Sequence, residues 1–128
     1  MNNNLKFEFV RNWSGYELWE LKDNSDNPLG DVHIKKSDVF YSIYMIKVFE
    51  EINRKKYHYG TFMYEQLKSE AIKRGCKWLI GEWAESTIDN KHFFDKMVKK
   101  EGFRPMTEED IKKIGFRPNK MPTYIKEI

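Results

Sequence analysis

Cysteine is nearly absent: Cys76 stands alone in 128 residues, so no disulfide within the chain can hold the fold. Histidine and cysteine also fail to gather at metal-ligand spacing. His33, His58 and His92 are isolated, and no metal site is expected. No apolar run approaches about 18 residues and no charged-then-apolar segment of the signal type occurs, so a soluble, cytoplasmic protein with no membrane partner is expected. A dominant charge is missing too. The 23 basic residues face 20 acidic ones, and the net charge of +3 is too balanced for the basic stripe of a dedicated nucleic-acid binder. That balance admits an anionic ligand without requiring one. Apolar material, by contrast, is plentiful: 40% of residues are hydrophobic and 16% aromatic, enough for a packed interior despite 34% charged residues. At this length a single domain over residues 1–128 is expected.

The first quarter alternates apolar with polar residues from Leu5 to Val10 and again from Tyr16 to Leu21, around a turn-prone stretch from Asn12 to Gly15. This pattern predicts half-buried antiparallel strands. Turn formers from Asp23 to Pro28 lead to a third strand, Gly30 to Lys35. Val39 to Phe49 is almost continuously apolar, with Lys47 its only charge, which suits a central strand covered on both faces. Phe62, Met63, Leu67, Ala71 and Ile72 recur at helical spacing between Thr61 and Arg74, and Gly75 stands where a helix-ending glycine belongs. Lys77 to Trp83 then reads as a short buried strand, so strand, helix and strand make a parallel βαβ unit.

A second helix is predicted from Ser86 to Glu101, ended by Gly102, followed by a strand at Phe103-Arg104. Thr107 to Asp110 has capping-box character and should start a short helix, and Thr123 to Ile128 a last strand. Gly-Phe-Arg-Pro occurs at 102–105 and 115–118, read both times as a helix-ending glycine, an anchoring phenylalanine and a helix-stopping proline. Cys76 is expected as a small buried residue. Trp78 is expected in the core, while Trp13, Trp19 and Trp83 are undecided between core and ligand-stacking roles.

A buried strand, a loop ending in glycine and a helix bring unpaired N–H groups and a positive helix end to one spot, which suits an anion. Arg54, Lys55 and Lys56 add positive charge there, and Gly60 has no side chain to keep a phosphate from the backbone. With a following Asn-bearing helix that ends in Gly-Phe, this order resembles the GNAT N-acetyltransferases over Val39 to Arg104. Their loop reads Gln/Arg-x-x-Gly-x-Gly/Ala; here Lys55-Lys56-Tyr57-His58-Tyr59-Gly60 keeps the second glycine, with His58 in place of the first.

The resemblance implies an α/β (α+β) fold: a mixed, mostly antiparallel sheet with a central parallel pair, splayed strands and helices on both faces. It implies acetyl-CoA as cofactor, its pyrophosphate held over Arg54 to Thr61 by Arg54, Lys55, Lys56, Tyr57, His58, Tyr59, Gly60 and Thr61. Val48 and Phe49 would pair by backbone with the pantetheine arm, and Asn90 would reach it by side chain. Glu50, Glu51 and Glu82 are the candidate bases for an attacking amine. The proton-donating tyrosine of the family falls on Met97 or Val98, leaving Tyr57, Tyr59, Tyr124 or water for that role. Only Arg11 to Gly15 lies where the family places two helices between its first strands, so the acceptor cleft should be open to a protein terminus, a lysine or another bulky amine, or be completed by a second subunit as a homodimer. Two other readings stay open: a non-catalytic acyl-CoA-binding module, and a nucleic-acid-binding α/β domain using Arg54-Lys55-Lys56.

Overall fold

The structure, a computed structural model, describes residues 5–13, 15–50, 57–81, 95–116 and 123–128. Its elements run β1 (Lys6–Trp13), β2 (Tyr16–Lys22), β3 (Pro28–Lys36), β4 (Phe40–Val48), α1 (Tyr59–Lys73), β5 (Trp78–Gly81), β6 (Arg104–Pro105), α2 (Glu108–Ile114) and β7 (Tyr124–Glu127), with residues 95–99 also helical. The strands form a mixed sheet in the order β1-β2-β3-β4-β5-β7-β6. Its one parallel pair is β4 and β5, which the α1 crossover joins. The described residues fall into two compact units: Met1–Lys35 with Ile43–Glu70, and Lys36–Ser42 with Ala71–Ile128.

In the first unit β1, β2 and β3 form an antiparallel meander. Trp13 pairs with Tyr16, and between them Gly15 supplies the left-handed backbone at φ 83°. The strand thus runs through the stretch expected to turn from Asn12 onward. A bulge at Val10 lets Arg11, Asn12 and Trp13 keep their pairing with β2. The next turn is closed by Asp23, whose Oδ1 accepts from the N–H groups of Ser25 (2.9 Å) and Asn27 (3.0 Å).

Leu21, Val48 and Met63 form the centre of this unit, with Phe7, Leu29, Ile46, Tyr59 and Phe62 packed around them. Gly30 is required there. A Cβ at this position would lie 2.6 Å from the Lys47 carbonyl oxygen and 3.0 Å from Met63 Cε. Trp19 resolves as a packing residue, its ring 5.4 Å from Phe7 and 6.3 Å from Phe9, whereas Trp13 is exposed.

Helix α1 buries Met63, Tyr64, Leu67 and Ala71, but Ile72 is 53% exposed, contrary to its expected place on the apolar face. At 100° per residue Ile72 points roughly 125° from the centre of that stripe, which Tyr64 completes instead. The helix starts two residues earlier than expected, at Tyr59.

The second unit is built on Phe40, Ile80, Phe116 and Ile125, with Trp78, Met106 and Ile114 against them. Phe40 to Ile43, the start of β4, are four consecutive buried residues, as a strand covered on both faces requires. β7 pairs antiparallel with β5 on one side and β6 on the other. Gly75 ends α1 at φ 83° in a two-bond cap, its own N–H donating to the Ile72 carbonyl and that of Cys76 to the Ala71 carbonyl, both at 3.0 Å. Cys76 is buried.

Both copies of Gly-Phe-Arg-Pro behave alike at their first two positions. Gly102 and Gly115 take φ 84° and 78°, and Phe103 and Phe116 are buried. Pro105 belongs to β6, and Pro118 lies outside the described residues. The capping box forms as expected: Thr107 caps α2 by accepting from the Asp110 N–H, and the Asp110 side chain accepts from the Thr107 N–H at 2.8 Å. Arg104 grips the same carboxylate with two bonds, 2.7 and 3.0 Å.

Gly30→Ala should cost about 2–3 kcal/mol, because the obstructing atom is backbone and cannot step aside. The melting temperature should fall by roughly 6–12 °C. The Arg104 guanidinium and the Thr107 donors hold the Asp110 carboxyl well below the usual range. Its stabilisation is therefore complete above the unfolded value near pH 4 and is lost as pH falls below it. Asp110→Asn should cost about 1–2 kcal/mol at pH 7 in denaturant melts, and the deficit should shrink as pH drops from about 4.

Candidate functional site

The candidate site begins where β4 ends. Val48 is buried, Phe49 half-buried and Glu50 exposed. The Phe49 N–H donates to the Leu29 carbonyl at 3.0 Å, so its donor is committed to β3 and a cofactor arm would find no donor there. Glu50 takes φ 134°, a conformation that L residues rarely adopt and that costs of order 1–3 kcal/mol. Glu51, Arg54, Lys55, Lys56, Glu82 and Asn90 lie outside the described residues.

The chain enters α1 through Tyr57 and His58. His58 is exposed and left-handed, at φ 53°. Its carbonyl accepts the first helical bond, from the Phe62 N–H at 3.1 Å. This left-handed backbone gives a physical reason for glycine at the corresponding place in the family loop: an L side chain there costs roughly 1–2 kcal/mol, though histidine is among the more tolerant residues. Gly60 therefore lies within the first turn of the helix rather than before it.

The first turn, Tyr59-Gly60-Thr61, carries no acidic residue. A helix offers no internal acceptors to its leading N–H groups, and its dipole leaves that end positive. No carboxylate of the turn itself neutralises it. Tyr57 and Tyr59 stack beside it, ring centroids 5.5 Å apart. Burial, then Tyr57 and Asp23, push the Tyr59 phenol up, so it stays protonated and able to donate. The stack is a feature that the sequence spacing, two tyrosines flanking one residue, offered as a cue. Of the two residues that fall on the family's tyrosine position, Met97 is wholly buried and Val98 half-buried, and neither has a proton to give. No group of metal-binding side chains occurs among the described residues.

No family model matches the chain, and no curated protein matches it significantly. Solved structures do resemble it. An acetyltransferase from Streptococcus agalactiae aligns with a TM-score of 0.71 and 10% identity over 98% of this chain and 99% of its own. A GNAT-family acetyltransferase from Elizabethkingia anophelis with acetyl-CoA bound gives 0.65 and 14% over 98% and 99%. The PaiA N-acetyltransferase from Thermoplasma acidophilum, in complex with coenzyme A, gives 0.60 and 12% over 87% of this chain and 60% of its own. The fold of this chain is the GNAT acetyltransferase fold.

Two substitutions test the strained positions. His58→Gly should leave stability unchanged or raise it by up to about 1 kcal/mol, since glycine relieves φ 53° but loses more chain entropy on folding. Glu50→Gly should likewise stabilise by about 1 kcal/mol in thermal melts. If the carboxylate serves as the base, the same change should lower acetyl transfer at least about a hundredfold, the lower end of what a positioned base contributes.

Proposed function

We propose that this chain is an acyl-CoA-dependent N-acyltransferase that moves an acetyl group from acetyl-CoA to a primary amine by direct attack. The observation that carries the reading is the fold, shared with acetyltransferases that hold acetyl-CoA or coenzyme A, together with a helix N-terminus free of first-turn carboxylates just after β4. Fold likeness alone is an analogy; the helix end supplies the chemistry.

In this reading the N–H groups at the start of α1 receive the pyrophosphate, with Gly60 allowing close approach and Arg54, Lys55 and Lys56 balancing its charge. Val48 and Asn90 contact the pantetheine arm. One of Glu50, Glu51 and Glu82 takes the proton that the amine nitrogen loses as its bond to the acetyl carbon forms. The carbon–sulfur bond breaks, and the thiolate leaves with a proton from Tyr59, Tyr57, Tyr124 or water. A thiolate needs little help near neutral pH, so Met97 or Val98 in place of a tyrosine is compatible with turnover.

The two-residue turn between β1 and β2 supports a bulky acceptor, because no helices stand there to wall off a small one. The absence of a proton donor at Met97 and Val98 favours a second reading, a module that binds acyl-CoA without transferring the acyl group.

Calorimetric titration with acetyl-CoA of the wild type beside Gly60→Glu tests the cofactor assignment. The new carboxylate stands in the first helical turn, where the dipole favours it, so the fold should persist while affinity drops at least about tenfold. Equal binding by both proteins would sink the assignment. Thioester consumption with a panel of amines then separates transferase from binding module.

A further inference from the structure

Three of the six large hydrophobic side chains exposed among the described residues, Phe9 (46%), Val10 (42%) and Trp13 (51%), lie on one strand, β1. β1 is also the first strand of the sheet, paired on one side with β2. Its other side, unpaired among the described residues, presents backbone that an extended segment could pair with. Charges on such a strand ordinarily guard the edge; here their placement does something else.

A regular strand that pairs antiparallel with its own copy about a two-fold axis sets each residue opposite one on the same face. The bulge at Val10 changes which residues qualify. Before it, Lys6 and Glu8 oppose Lys22 and Glu20 of β2; after it, Arg11 and Trp13 oppose Leu18 and Tyr16. All four therefore share one face, and Phe7, Phe9 and Asn12, opposite Leu21, Trp19 and Glu17, share the other. An axis between Phe9 and Val10 then sets Glu8 against Arg11 of the copy, Phe7 against Asn12, Lys6 against Trp13, and Phe9 against Val10. Only this axis pairs the whole of Lys6–Trp13 with itself. Opposite charges meet twice by symmetry, and the exposed Phe9 and Val10 meet at the centre. Arg11 has no ion-pair partner within the chain among the described residues, and Glu8 has only a long one, Lys22 at 3.7 Å with the glutamate half exposed.

We propose that β1 is a homodimer interface, joining two copies of this chain by antiparallel pairing centred on Phe9 and Val10. An edge of eight residues buries less than the roughly 1,200 Å² of a standard interface, so the association is weak and rises with concentration.

Sedimentation equilibrium from about 1 to 200 µM should show a mass climbing from 15.5 kDa towards twice that value. Arg11→Glu and Glu8→Arg should each weaken association about tenfold or more, since like charges then oppose each other twice. The double variant Glu8→Arg/Arg11→Glu should restore it, and circular dichroism should find all three variants folded, as expected for exposed positions. A wild type that stays monomeric, single variants that associate as well as the wild type, or a double variant that fails to recover would each overturn the proposal.

Discussion

How closely α1 can lie on the strands beneath it is decided at Gly30. The space that a methyl group would take on β3 is already held by the Lys47 carbonyl oxygen and the end of Met63. That approach lets Met63 sit against Leu21 and Val48, and it draws Tyr59 and Phe62 onto the same cluster. The start of the helix is therefore positioned by the packing of its own first two turns. Side-chain packing of Met63, Tyr59 and Phe62 in this cluster is what aims the N–H groups of Tyr59 to Thr61.

The two described helix starts use the same physics to opposite ends. α2 carries Glu108, Glu109 and Asp110 in its first turn, and Asp110 closes on the backbone and on Arg104. Its dipole is answered internally, which contributes stability and leaves no charge to offer. α1 has no acid in that turn and is preceded by backbone held at φ 53°. Its leading N–H groups find no carboxylate in their own turn, and the strained backbone before them costs stability rather than adding it.

Periodicity made most of the fold legible. Alternation marked β1 and β2, turn formers placed β3, the apolar run marked β4, and glycines with positive φ marked the ends of α1 and α2 where local chemistry permits no other residue to serve as well. The boundaries were harder. A bulge costs one residue of register and leaves no compositional trace, so Val10 and the extra length of β1 were invisible to pattern alone. Ile72 shows the limit of residue type: apolar and at nearly the right spacing, it still points to solvent. At the candidate site the sequence marked the loop and the helix but not the φ of His58 and Glu50, because backbone conformation at a single residue depends on how the ends of the segment are held. Nor did it mark the commitment of the Phe49 N–H to β3, which depends on register between strands distant in sequence.

The position of β7 carries a consequence for how the chain is made. It is the last strand in sequence, yet it stands between β5 and β6 and contributes Ile125 to the second unit's core. β1, β2 and β3 pair with sequence neighbours across short turns, contacts that close quickly and as soon as the segment emerges. β5 and β6 must wait with open edges until β7 emerges. During synthesis the first unit can take shape early, while the second stays unfinished until β7 emerges to cover the open edges of β5 and β6.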